Sequence, residues 1–452
     1  LFDPAVALPS KEESLEADGE NRITQNAGTP SKTSVAVVGG GVAGITAAYM
    51  LQNTHAVTLF EKNDYVGGHT NTVTIPDGPD AGTPVDTGFI VLNDRTYPVL
   101  NRFFNRLGVA VEKSDMSFGY FCERTGFQFA STDLSALFAQ RRNLLDPFYW
   151  SMLVEVLLFN RLVLRRHERG LLEGLTLGQF LRRFNFSSRF REQYLYPMVA
   201  AIWSAPDSRV EAFPMLSFAR FFDNHGLLTV FDHPQWYYVA GGSQTYVRAF
   251  LDQFPGTVHT DVTVAAIQRD DQGVNVQAAD DQVFRFDKVV IATHADEAFE
   301  LLSDPSEEER RLLSPWRYSA NQTVLHTDTR WMPPNHRAWA SWNVFRGKDA
   351  DASAPVTLTY HMNRLQHLKA SRPYLVTLNP YKPIADETII TQFTYTHPVY
   401  TFESLATQND LPDLNGVRNT CFCGSYFGYG FHEDAARSGV QAAAALGGKH
   451  EL

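Results

Sequence analysis

The run Val35-Ala-Val-Val-Gly39-Gly-Gly41-Val-Ala-Gly44-Ile-Thr-Ala-Ala-Tyr49-Met-Leu51, followed by Val57-Thr-Leu-Phe-Glu61-Lys62, constrains this 452-residue chain more than any other stretch. A valine-rich strand enters a glycine turn, an alanine-rich helix follows, and a second strand ends in an acid. That is the element order of a dinucleotide-binding βαβ unit. Gly39 permits the tight turn, and Gly41 leaves a pyrophosphate room to approach the N–H groups of Val42 and Ala43 at the helix start. Gly44 lets the helix lie close on the sheet. Glu61 stands 61 − 39 = 22 residues beyond Gly39, near the offset of about 20 at which a carboxylate accepts hydrogen bonds from ribose hydroxyls. Lys62 sits beside it. An ordinary βαβ turn whose glycines serve only packing has no need of that acid.

The net charge of −11 argues against a general nucleic-acid binder, because no broad basic face is on offer to a phosphate backbone. The hydrophobic content of 44% and charged content of 20% are those of a globular enzyme of two or three lobes. Cys122, Cys421 and Cys423 make no disulfide framework, and Cys421-x-Cys423 is too tight and isolated for a zinc site, so small core residues are expected there. The nearest approach to a membrane span, Phe148 to Leu164, carries Glu155 and Arg161, and no transmembrane helix is predicted. Residue 1 is Leu, which leaves processing and localisation open, with the cytoplasm favoured. The sequons at Asn185 and Asn321 weigh little.

Residues 1–33 are polar and aperiodic and read as a leader outside the fold proper. Beyond the clamp come Gly67-Gly68-His69-Thr70 and the strand-like Val85-Asp-Thr87-Gly88-Phe-Ile-Val91. Helical patterns rich in Phe, Leu and Arg then run from Leu134 to about Phe231. Residues 141–191 hold ten arginines against Asp146, Glu155, Glu168 and Glu173, a local balance of 10 − 4 = +6. Solvated helix faces explain it most simply; a mouth meeting an anionic head group or an acidic lipid surface is the sharper reading. Strand patterns return at Trp236–Gly242, Val258–Ile267, Gly273–Val276 and Lys288–Thr293, and aromatic strands fill about 316–400. A glycine-dense turn from Phe422 to Asp434 enters a final alanine-rich helix. Dinucleotide-like pieces therefore recur at the start, middle and end. The prediction is an α/β fold: a Rossmann-like cofactor domain from 34–115, 235–300 and 401–452, with a mixed helical and antiparallel-sheet substrate domain from 116–234 and 301–400.

The clamp, Gly67-Gly68, Gly241-Gly242, Val289-Val-Ile-Ala-Thr293 and the C-terminal glycine turn together resemble the flavin-containing amine oxidase and phytoene desaturase superfamily. Asp115-Met-Ser-Phe118, Leu137-Phe-Ala-Gln-Arg141, Asp146-Pro-Phe-Tyr-Trp150, Ile202-Trp-Ser-Ala-Pro206, Pro234-Gln-Trp236 and Gly430-Phe-His-Glu-Asp434 are similar to a narrower group, FAD-binding proteins that accompany cyclopropane-fatty-acid synthases. The resemblance implies FAD rather than NAD. It implies that Gly39, Gly41 and Gly44 cradle the pyrophosphate, that Glu61 holds the ribose, and that Gly67, Gly68, His69 and Thr70 close over the phosphates and ribityl chain. His69 stands where an Arg is common in the superfamily. Thr87 and Gly88 are placed beside the cofactor, and the backbone of Val262 at the adenine. Gly424, Gly430, Phe431, His432, Glu433 and Asp434 are placed at the turn where a helix start faces the flavin C2 carbonyl.

No second GxGxxG with a trailing acid is present, which argues against a dedicated NAD(P)H domain. Electrons are then expected from the organic substrate by hydride transfer to flavin N5. The aromatic second domain suits a hydrophobic, lipid-like small molecule, and Phe118, Tyr120, Phe121, Trp203, Phe221 and Phe222 are tunnel candidates, with plain core as the competing role for each. His432 is the leading catalytic or flavin-tuning residue, with a structural histidine as its competitor. The expected activity is an FAD-dependent oxidase or desaturase. A redox-neutral double-bond isomerase and a non-catalytic flavin-binding partner of a lipid-modifying enzyme are the alternatives. No metal site is predicted, and the oligomeric state is left open.

Overall fold

Four stretches far apart in sequence supply one parallel sheet in the computed structural model, which describes residues 32–203, 207–229, 233–349, 356–448 and 452. Its strands lie in the order Thr257–His259, Ala56–Phe60, Ser34–Val38, Lys288–Ile291 and Thr420–Phe422, every neighbouring pair parallel. Strands buried on both faces need apolar residues at consecutive positions, which is why they read Val-Ala-Val-Val and Val-Val-Ile rather than alternating. The helix Val42–Leu51 is buried along all ten residues and lies between this sheet and the last helix, His432–Ala445. The predicted leader falls almost wholly outside the described residues.

Two glycines make this layer close. Gly39 has φ +107°, and a Cβ there would stand 2.6 Å from the Ala292 carbonyl oxygen. A Cβ on Gly44 would meet the Gly39 carbonyl oxygen at 1.9 Å, so the first helical turn sits on the strand end at a distance no side chain allows.

A seven-stranded sheet forms the second layer, ordered Ile389–Val399, Arg317–His326, Leu375–Leu378, Thr357–His361, Trp342–Arg346, Phe118–Cys122, Gln128–Ala130. All its pairs are antiparallel except Trp342–Arg346 with Phe118–Cys122. A three-stranded antiparallel sheet, Val264–Asp270, Gly273–Ala278 and Val283–Phe286, follows the parallel strand Thr257–His259. The arginine- and phenylalanine-rich stretch is helical, with Pro147–Glu168 its longest member at 22 residues. Asp146 caps that helix by accepting from the Phe148 and Tyr149 N–H groups. The fold is thus mixed α/β, a parallel dinucleotide-type sheet beside a mixed helical and antiparallel-sheet region. The two vicinal cysteines, Cys421 and Cys423, are fully buried at the end of strand Thr420–Phe422.

Candidate functional site

The C-terminal ends of the parallel strands open onto a cavity of about 750 Å³, at the upper end of the range for small-molecule sites. Its first wall is the clamp: Gly39, Gly41, Val42 and Ala43, then Glu61, Lys62, Gly67, Gly68, His69, Gly88 and Val262. The C-terminal turn adds Gly424, Gly430, Phe431 and His432. Residues predicted from three separate regions of the chain therefore meet in one space.

Five predicted residues, Gly44, Thr70, Thr87, Glu433 and Asp434, are not on the cavity wall. Gly44 is packed against the Gly39 carbonyl. Thr70 Oγ1 lies 2.6 Å from Tyr246 Oη and 3.1 Å from His432 Nε2, bracing the histidine from behind. Thr87 Oγ1 lies 2.9 Å from Tyr395 Oη. The Glu433 carboxylate accepts from the N–H groups of Val99 and Leu100 at 3.0 and 2.9 Å, at the start of the helix Pro98–Leu107. Burial pushes its pKa up to about 7. Asp434 accepts from Tyr429 and Phe431 N–H and pairs with Arg437. These acids shape the turn that carries His432; they do not face the cavity.

Three of the remaining assignments are sharpened. The Glu61 carboxylate, 5% exposed, accepts from Gly40 N–H at 2.8 Å and from Asn63 N–H at 2.9 Å, so it ties the glycine turn to its own strand end. Val262 donates its N–H to the Glu61 carbonyl at 3.0 Å, which leaves only its own carbonyl for a base. Lys62 is held by Glu297 at 2.8 Å.

The second wall comes from the seven-stranded sheet and the helix Tyr196–Trp203. It presents Trp342, Tyr360, Tyr395, His397 and Tyr400, with Ile202 and Trp203. Of the tunnel candidates only Trp203 lines the cavity. Tyr120, Phe221 and Phe222 are core, while Phe118 and Phe121 are half-buried elsewhere.

Between the walls lies a histidine cluster that sequence reasoning found only in part. The His69 ring stacks on Tyr395 at 5.0 Å and stands 5.6 Å from the His397 ring and 6.3 Å from the His294 ring. His69 Nε2 is buried without a hydrogen-bond partner. His294 stacks on Tyr318 at 4.2 Å, and its Nδ1 lies 3.3 Å from Thr396 Oγ1. His397 Nδ1 lies 3.2 Å from Asn321 Nδ2. His432 stacks on Phe89 at 3.9 Å. The signal available for part of it was the alternation Tyr395-Thr-His397, which places both rings on one face of a strand.

Burial first, and the neighbouring imidazoles second, hold His69 well below the usual histidine range. Burial lowers His397 to about 4 and His432 to about 3. These rings are neutral near pH 7 and serve as hydrogen-bonding and stacking groups rather than cations. The stability linkage has a definite sign. A histidine whose folded pKa is depressed leaves stability intact above the unfolded value of 6.5, and stability is lost as pH falls toward the folded value. His397 and His432 together then cost on the order of 2 kcal/mol between about pH 7 and 5, allowing for solvent that reaches them through the cavity. Buried Glu433 and Asp86, raised to about 7 and about 6, gain stability over the same window, so the histidines are read by difference: on going from pH 7 to 5 the unfolding midpoint of the His397→Asn/His432→Asn protein is expected to change less unfavourably than the parent's, and an identical change in both contradicts neutral burial.

A glycine turn and a buried acid at the C-terminal edge of a parallel sheet, sharing one cavity with an antiparallel sheet, make a dinucleotide-cofactor site. The chain belongs to the flavin-containing amine oxidoreductase family, whose model matches residues 42–447. It is 35% identical over 122 residues to the FAD-dependent oxidoreductase dbaF of Emericella nidulans, covering 27% of this chain and 25% of that one. It is 37% identical over 78 residues to the FAD-dependent oxidoreductase dpchF of Colletotrichum higginsianum, 17% of this chain and 15% of that one. The chain thus spans a quarter or less of these relatives' lengths. In fold it is similar to cyclohexylamine oxidase from Brevibacterium oxydans IH-35A, with a TM-score of 0.67 and 16% identity over 92% of this chain and 98% of the other. A CLA-producing fatty acid isomerase from P. acnes is also similar, with a TM-score of 0.62 and 14% identity over 90% and 97%.

The cofactor is FAD, and the residues present fit it. No side chain caps the helix start at Gly41, and a Cβ there would meet nothing within 4 Å, so open space faces the helix N–H groups. The Glu61 carboxylate is buried at the end of the neighbouring strand, and His69 Nε2 is a buried polar atom in want of a partner.

Proposed function

We propose that this protein is an FAD-dependent oxidase or desaturase of a hydrophobic, lipid-like substrate whose reacting part is an acyl chain. One observation carries the reading. The charged side chains on the cavity lining are Glu61, Lys62, Glu297 and Glu300, all supplied by the parallel-sheet side. Among the described residues, the wall made by Trp342, Tyr360, Tyr395, His397, Tyr400, Ile202 and Trp203 holds no Asp, Glu, Lys or Arg. An ammonium substrate desolvated against that wall would find no carboxylate, a costly arrangement, whereas an alkyl chain loses nothing there. The resemblance to FAD-binding proteins that accompany cyclopropane-fatty-acid synthases supports the same substrate class.

When bound, FAD supplies the hydride acceptor. The chain's own residues do the rest. Gly41, Val42 and Ala43 would offer backbone donors to the pyrophosphate, and Glu61 would accept from the ribose. The start of His432–Ala445, where Phe431 offers no side-chain acceptor to the first helical N–H groups, would place those groups where negative charge develops. His432, fixed by Thr70 and Phe89, positions that turn and stays neutral, which makes it a tuning group rather than a proton carrier at pH 7. The aromatic wall orients the carbon chain and excludes water.

Redox-neutral double-bond isomerisation is the second reading, favoured by the fold likeness to a fatty acid isomerase and by the lack of a second dinucleotide clamp. The test is anaerobic mixing of the purified flavoprotein with a long-chain unsaturated fatty acid and, separately, with putrescine or cyclohexylamine. Lasting loss of flavin absorbance with the fatty acid alone is the expected result. A rearranged fatty acid with no lasting bleaching selects the isomerase. Bleaching by the amines, or no response to any of them, overturns the proposal.

A further inference from the structure

Thirteen large hydrophobic residues are exposed among the described residues, and nine of them fall between Leu134 and Leu171. Leu144, Leu145 and Phe148 form the tip, Leu145 being 90% and Phe148 71% exposed, and Trp150, Val154, Leu157 and Leu158 continue along the helix Pro147–Glu168. Scattered exposed leucines need no explanation; a contiguous apolar strip in one lobe does. The helix, about 33 Å long by its residue count, meets the length and composition of a membrane span, yet only 28% of its most apolar window is buried. Its inner face of Tyr149, Met152, Phe159 and Val163 is packed on the helices Met215–Asn224 and Ser188–Phe190. Glu155 on the same helix accepts from Ser187. A helix so anchored, and carrying exposed Arg161 and Arg165, is unsuited to crossing a bilayer, while its outer face has the composition of one that rests on a surface.

Charge identifies the occupant. Residues 141–191 carry +6 in a chain of −11, leaving −11 − 6 = −17 on the remainder. Arg142, Arg161, Arg165 and Arg169 are exposed beside the apolar strip and form no ion pair among the described residues. A second cavity, about 420 Å³, opens next to Leu145 and is lined by Arg142, Asn143, Asp146, Arg189 and Gln193; Arg189 is already paired with Asp146 at 2.8 Å, which leaves Arg142 as its free cation among the described residues. Asn143 beside it is 2% exposed, and its Nδ2 is buried without a partner. Pairing with a second copy through the same face would set these arginines against each other, because a two-fold interface is self-complementary.

We propose that this face docks on an anionic lipid bilayer, with Leu144, Leu145 and Phe148 entering the acyl region, Trp150 at the interface, and lipid phosphates at Arg142, Arg161, Arg165 and Arg169. Its test does not depend on the substrate. The FAD-loaded protein is sedimented with vesicles of phosphatidylcholine alone and of phosphatidylcholine mixed with phosphatidylserine. Binding to the mixed vesicles is expected to exceed binding to the neutral ones by more than tenfold and to fall with salt. Leu145→Glu/Phe148→Glu is expected to abolish it. Arg142→Gln/Arg161→Gln/Arg165→Gln should weaken it about fivefold per arginine, roughly a hundredfold in all. Retained flavin absorbance certifies that both variants fold. Equal affinity for the two vesicle types, no sedimentation with either, or a dimer in solution that Leu145→Glu/Phe148→Glu dissociates overturns the proposal.

Discussion

A Gly41→Asp protein is expected to fold and to purify without flavin. Gly41 has φ −73° and ψ 178°, a conformation open to any residue, and a Cβ at that position meets nothing within 4 Å. Aspartate is moreover a favoured N-cap, so the empty protein is expected to be as stable as the parent or slightly more so. The carboxylate would occupy the space over the helix N–H groups and oppose the pyrophosphate charge. Like charges in such contact cost several kcal/mol, so the FAD dissociation constant rises by about a thousandfold or more. Fluorescence titration of the apoprotein with FAD measures it. Gly44→Val is the contrasting variant: its Cβ would lie 1.9 Å from the Gly39 carbonyl, so the fold and the flavin are lost together. Parent-like FAD affinity in Gly41→Asp would remove the pyrophosphate from this helix start.

A large loss of stability in a protein that still folds is expected at Glu309→Gln. Arg269 and Glu309 are 1% and 5% exposed, joined by paired contacts, with Arg269 also 3.1 Å from Asp304. The pair ties the strand Val264–Asp270 to the helix Glu307–Leu313. The preceding helix, Ala295–Leu301, carries Glu297 and Glu300 into the cavity lining. Removing the Glu309 charge leaves the buried guanidinium with only the partly exposed Asp304 to balance it and is expected to cost about 3 kcal/mol in denaturant unfolding. Replacing both, Arg269→Met/Glu309→Leu, should recover most of that loss, since the desolvation cost of the charges disappears with them. A Glu309→Gln protein of parent-like stability would mean that water already reaches the pair.

What could be read along the chain was what local chemistry fixes. The clamp is a run of adjacent residues whose spacing is set by one turn and one helix, and so is the turn from Gly424 to Asp434. Within the histidine cluster His69 and His432 stood in recognisable turns, whereas the Tyr395-Thr-His397 alternation shows a strand face but not what it faces: that depends on pairings such as Ser319 with His397, 78 residues apart, and Val35 with Lys288, on the strand that leads to His294. Glu433 and Asp434 illustrate the reverse. Their position after His432 suggested the cofactor, but tertiary packing gave Glu433 the start of the helix Pro98–Leu107 to cap, 333 and 334 residues away. The outward face of Pro147–Glu168 was hidden for a different reason: apolar residues occur all round that helix, so periodicity alone does not say which side the neighbouring helices cover.

The most direct test of this account is a crystal structure of the FAD-loaded protein soaked with a long-chain fatty acid. The pyrophosphate is expected at Gly41, the ribose at Glu61, and the acyl chain against Trp203, Trp342 and Tyr360. An acyl chain found elsewhere with that wall empty, or an amine bound there in its place, would contradict it.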